Sequence, residues 1–156
     1  MASRRKAREV LLKVLYLSES RDFSVDDAVD EMVDIDVDIA ELADDPEVDV
    51  ESLKPFSFGL DDDQKKYVLT LARKIENDRE LLNDYIKPVL RNWDFSRVSR
   101  VDRIIMWIAI AEMLYMLDIP HAVSINEAIE VAKDFSSEKS SSFINGVLDS
   151  ISKNIK

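Results

Sequence analysis

Residues 104–117 read IIMWIAIAEMLYML. The run is apolar nearly all the way round a helical wheel, broken only by Glu112, and a helix with no polar face must be enclosed by others. Ser99 and Asp102 have the S-x-x-D spacing of a helix start, so the helix is expected to run from there to about Asp118. At roughly 14 residues the apolar run falls short of the ~20 a membrane span needs. It is therefore the predicted central helix of a helical core.

Working toward the C-terminus, DIPH (118–121) reads as a turn. Ser124 and Glu127 form an S-x-x-E capping box that predicts a helix to about Phe135. A last helix is expected over roughly Ser140 to Ile155, with Ile144, Val147, Leu148, Ile151 and Ile155 on one face. Within it, Asn145-Gly146 would signal a hairpin by turn chemistry. The helical period continues on both sides, so Gly146 is assigned to close helix packing.

Toward the N-terminus, RNWDFSRVS (91–99) is a short connection with about one helical turn. A long helix is expected from about Asp62 to Leu90, its stripe made by Val68, Leu71, Ala72, Ile75, Leu82 and Ile86. Pro88 should kink or end it. A strand-like alternation, VDIDVDIAEL (33–42), leads into the breakers Pro46, Pro55 and Gly59, and residues 36–61 read as an irregular acidic insertion. Before it, FSVDDAVDEMV starts a helix capped by Ser24. The first helix should span about Ser3 to Ser20, burying Ala7, Val10, Leu11, Val14 and Leu15. Opposite that stripe Arg5, Leu12 and Tyr16 face outward, and Arg8 lies at the edge of the outward face.

The 156 residues suit one domain, and 2 glycines with 4 prolines are too few for the turns of a sheet protein. The fold class expected is all-α. Net charge is −11, but it is unevenly spread. Between Asp22 and Asp63 there are 17 acidic residues and one basic, Lys54, so the remainder, with 15 acidic and 20 basic, is net positive. The chain opens MASRRKAR, placing Arg4, Arg5, Lys6 and Arg8 beside one another on an acidic protein.

Enzyme chemistry finds little to stand on. There is no cysteine, which removes disulfides, thiolate catalysis and cysteine metal ligands. The only histidine, His121, sits in a turn. DDPEVDVE lacks the glycine and terminal ligand of a calcium loop. Gly59 and Gly146 are too far apart for a phosphate loop. Met106, Met113 and Met116 beside Trp107 read as core filling. No enzyme, cofactor or metal site is expected.

NWDFSRVSRVDRIIMWIAIAEML, DIPHAVSINEAIEVAKDF and SFINGVLDSI, in that order, together with SRRKAREVLLKVLYL at the start, resemble the NusB family of bacterial transcription antitermination factors. The resemblance covers about residues 3–33 and 62–155. It implies a compact bundle of about six to seven helices in two packed subdomains, one domain over 1–156 with the acidic insertion at about 36–61. The implied activity is binding boxA-type single-stranded RNA of ribosomal RNA transcripts with the small-subunit ribosomal protein NusE, inside an RNA polymerase antitermination complex. A cytoplasmic location, no membrane and no enzymatic activity go with it.

Carried onto this chain, the resemblance assigns Arg4, Arg5, Lys6, Arg8, Phe135, Lys139 and Phe143 to RNA, and Tyr16 and Asp102 to the protein partner. A cationic arm beside exposed apolar residues is physically suited to single-stranded RNA, which is held by phosphate charge and by stacking. The chain departs from the family pattern at Trp107, Ala111, Ser136 and Ser142. Two other readings fit the same residues: a NusB-like domain attached to a ribosomal RNA methyltransferase, and a protein-interaction module, dimeric or not, with weak or lost RNA binding.

Overall fold

The computed structural model describes residues 4–22, 24–31, 47, 59–90 and 94–155. Among them the regular structure is helical. The helices are α1 (Arg4–Arg21), α2 (residues 25–31), α3 (Asp62–Asn77), α4 (Arg79–Ile86), α5 (Arg100–Tyr115), α6 (His121–Phe135) and α7 (Glu138–Ser152). Short 3₁₀ turns occupy Lys87–Val89 and Phe95–Arg97. Of the acidic insertion expected at 36–61, only Glu47, Gly59, Leu60 and Asp61 belong to the described residues. Among the described residues no helix is long and apolar enough to cross a membrane.

The apolar run at 104–117 is the hub of the structure. α5 packs against α1, α3, α4, α6 and α7, and every residue from Ile104 to Met113 is buried. Its start is as expected: the Ser99 hydroxyl accepts from the Asp102 amide at 3.2 Å. Trp107, which departs from the family pattern, is accommodated as core. It is buried, its indole N–H donates to Asn83 Oδ1 at 2.8 Å, and the Arg103 guanidinium stacks 5.1 Å from its ring.

Several local expectations are corrected. The helix read as continuous over 62–90 is two helices, broken at Asp78. There the backbone leaves helical geometry (φ −109°, ψ 21°) while Leu82 and Ile86 stay buried. The break preserves the phase of the stripe, so periodicity could not reveal it. Asn77-Asp78 is the weak point, because short polar side chains bond local groups in competition with the helix. Asp78 accepts from the Asn77 amide and the Tyr115 hydroxyl. Ser124 does not open α6, which begins at His121 after Pro120, and its hydroxyl points into the core instead. α7 starts at Glu138, capped by Ser137 rather than near Ser140. Gly146 serves no close packing: it is exposed, and a methyl group there would meet nothing within 4 Å.

α3 is anchored by a full capping box. Asp61 Oδ1 accepts the Gln64 amide at 2.8 Å, and Gln64 Oε1 accepts the Asp61 amide at 2.9 Å. Gly59, with φ of 50°, turns the chain into this cap in a conformation that disfavours other residues.

Candidate nucleic-acid interface

The rotation of α1 decides which of its cations reach solvent. Its buried arc is wider than the five-residue stripe, because Leu12 (3% exposed) lies inside it, contrary to the outward position expected from the sequence. Arg8 lies inside it too. Its guanidinium donates to both Glu112 oxygens at 2.7 and 2.8 Å. Glu112 also accepts from the Tyr67 hydroxyl at 2.6 Å and the Ser124 hydroxyl at 2.9 Å. This network, closed off from water, ties α1, α3, α5 and α6 together. Burial acts to lower the Arg8 pKa, but the hydrogen bonds and charge of Glu112 more than offset it. Burial, reinforced by Glu112, pushes the Tyr67 phenol well above its usual value, so it remains a donor.

The other three N-terminal cations are exposed and belong to the first turn of α1 rather than to a free arm. Arg4 stacks 5.2 Å from the Tyr67 ring and reaches Met116 Sδ at 3.9 Å. Arg5 donates to both oxygens of Glu127 at 2.8 and 3.0 Å. The hydrogen bond from Arg5 holds the Glu127 carboxyl below the ordinary glutamate range. Lys6 Nζ approaches the Gly59 carbonyl at 3.4 Å, which brings the described end of the acidic segment beside this turn.

Further along, Arg5, Glu9, Lys13, Tyr16 and Ser20 form one solvent-facing arc of α1, with Glu9 only partly exposed. Two aromatic rings beside this arc carry cations. Lys13 Nζ lies 5.7 Å from Phe135, at the end of α6, and Arg100 lies 5.6 Å from Tyr16. Tyr16 and Phe135 are among the exposed large apolar side chains. Lys139, in the first turn of α7, is exposed, whereas Phe143 is half-buried against the core.

Asp102 has a different setting from the one expected of a partner-facing residue. It is 7% exposed, and its two oxygens accept the Ser136 and Ser140 hydroxyls at 2.8 Å each. It fastens the start of α5 to the α6–α7 connection. Ser136 is one of the departures from the family pattern, and here its hydroxyl supplies one of those two bonds. The sequence gives no expectation that Lys13, Arg100 and Glu127 lie at this surface. Lys13 could have been found, since it lies three residues from Tyr16 on the same arc. The pairings Arg100–Tyr16 and Arg5–Glu127 bridge distant parts of the chain and leave no local signal. Among the described residues no group of acidic or histidine side chains could hold a metal ion.

The arrangement is a face of α1 with two cations and one ring, Tyr16, and a second ring, Phe135, beside it, above a buried ion-pair network. Residues 5–153 match the model of the NusB family. The chain belongs to the NusB family. A NusB transcription antitermination protein of Clostridium botulinum is 37% identical over 146 residues, covering 94% of this chain and 96% of that one. Its Clostridium kluyveri counterpart is 52% identical over 90 residues, a match spanning 58% of each. The solved structure of a T. maritima NusB superposes with a TM-score of 0.71 at 30% identity, covering 97% of this chain and 92% of that one. Membership places the chain among transcription antitermination factors and not among enzymes, and the NusB structure confirms the all-α fold expected from the apolar run at 104–117.

Proposed function

We propose that this NusB-family chain binds boxA-type single-stranded RNA of ribosomal RNA transcripts together with the ribosomal protein NusE, in the cytoplasm, as part of an RNA polymerase antitermination complex. The observation that carries the reading is the pairing of the exposed Phe135 ring with Lys13 beside α1. Rings accept unpaired bases by stacking, and the adjacent cations meet the phosphates. Arg4, Arg5 and Lys6 extend the cationic track at one end of α1, and Lys139 adds a charge near Phe135. Arg8 and Asp102 contribute by holding the surface in shape. The protein partner is assigned to the Tyr16 end of the same face.

A second reading has support from one observation. Arg5 and Arg8 are already paired with carboxylates, as in a NusB-like interaction module with weak RNA binding. Titration of boxA-type RNA with and without NusE separates the two. The RNA reading expects saturable binding that NusE tightens and salt weakens. Binding of NusE with no RNA affinity in either arm would select the interaction module.

A further inference from the structure

Tyr16, Glu19 and Ser20 lie three and four residues apart, so they are neighbours on the surface of α1. Arg100, the first residue of α5, reaches across to all three. Its guanidinium lies 5.6 Å from the Tyr16 ring, donates to Ser20 Oγ at 3.1 Å and approaches Glu19 Oε2 at 3.6 Å. Glu19 is itself held, because Oε2 accepts from Arg103 at 2.8 Å. Arg103 in turn lies 5.1 Å from the ring of Trp107, which is buried in the core. A continuous series of contacts thus runs from the core through Trp107, Arg103, Glu19 and Arg100 to Tyr16. Tyr16 nonetheless keeps 43% of its surface in solvent, so the ring is steadied without being enclosed.

We infer that Arg100 is a positioning residue for the protein partner: it holds the Tyr16 ring in the orientation that the partner meets. The inference rests on the assignment of the partner to the Tyr16 end of α1 and deepens it. A tyrosine on a helix surface has more than one staggered rotamer open to it. Binding that must first select one of them loses affinity to the ordering of the side chain. A cation over the ring favours the rotamer that lies beneath it. Arg100 can do this because Ser20 and Glu19 fix its long, flexible stem in turn. Its contribution is orientation and not net charge. In the open cleft next to it Arg79, Arg100 and Arg103 face Glu19, Asp22 and Glu76, three cations against three carboxylates. The series of contacts starts at Trp107, one of the positions where this chain departs from the family pattern, so the departure supplies the platform on which Arg103 rests.

The test titrates NusE against the full chain, its Arg100→Ala, Arg100→Lys and Tyr16→Ala variants, and the variant carrying both Arg100→Ala and Tyr16→Ala. Arg100→Ala should weaken NusE binding roughly two- to fivefold, the worth of an exposed cation over a ring. Tyr16→Ala should weaken it further. Once the ring is gone, Arg100→Ala should cost nothing more, because a residue that acts through another does not add to it. Arg100→Lys keeps a cation over the ring and should recover part of the loss. The same fold-loss from Arg100→Ala with and without Tyr16 overturns the inference, since Arg100 would then touch the partner itself or serve only the fold. Arg100→Lys binding no better than Arg100→Ala overturns it as well. Arg100→Ala binding like the parent, with Tyr16→Ala weakened, overturns the inference alone. Tyr16→Ala binding NusE as tightly as the parent overturns the partner assignment and this inference together.

Discussion

Arg8 lies within α1 and Arg100 lies against it, yet the structure uses them in opposite ways. Arg8 is enclosed, its charge matched by Glu112, with Tyr67 and Ser124 satisfying the remaining acceptor sites of that carboxylate. Arg100 lies on a ring with nearly half its side chain in water, where a ligand can reach it. The difference teaches that arginines around one helix are not one functional unit. Where the helix turns a guanidinium inward, it must be paired, and it then serves the fold. Where the helix turns it outward onto an aromatic side chain, it keeps donors for a ligand.

The largest effect should come from breaking the inner side. Removing one member of a buried ion pair leaves the other uncompensated, typically at about 3–5 kcal/mol. Glu112→Ala should therefore lower unfolding free energy by that order in a urea titration. A loss under ~1 kcal/mol would mean the network is open to water and that Arg8 belongs with the surface cations.

Asp102 gives the next largest effect and sharpens the boundary between the two sides. Asp102→Ala removes two hydrogen bonds to a charged acceptor and should cost about 1–3 kcal/mol. A melt identical to the parent, together with weakened NusE binding, would return Asp102 to the partner surface.

How much of this was legible in the sequence depended on whether the signal was local. The enclosure of α5 followed from its composition, and Ser99 marked its start. Arg8, expected at the edge of the outward face, is buried, and it lies seven residues before Leu15 and so about 20° from it on a wheel. Charge was read there as exposure, because the compensating Glu112 is 104 residues away. Leu12 failed for the related reason that α1 is covered by α3, α5 and α6, which widens its buried arc. Gly146 looks like a packing device in the sequence, yet the helix merely tolerates it on an exposed face. At the site, Tyr16 and Phe135 were visible as residues. Their cations, Arg100 and Lys13, were paired with them only by the tertiary fold.

A smaller, pH-dependent effect separates the exposed pair Arg5–Glu127 from the buried one. The folded Glu127 pKa is depressed, so its contribution to stability is present above the unfolded value of about 4.5 and is lost as pH falls through the lower folded value. Glu127→Gln should flatten the pH dependence of the melting temperature in that acidic window only. A change near neutral pH would place the source elsewhere.

The most direct measurement is the salt dependence of boxA-type RNA binding in a chain carrying both Arg5→Gln and Lys13→Gln. If the outer arc of α1 carries the RNA, the log–log slope should become shallower by about 1.4, two single-strand phosphate contacts, with the circular-dichroism melt close to that of the parent. An unchanged slope, with RNA bound as tightly as by the parent, would contradict the account and move the RNA to another face of the molecule.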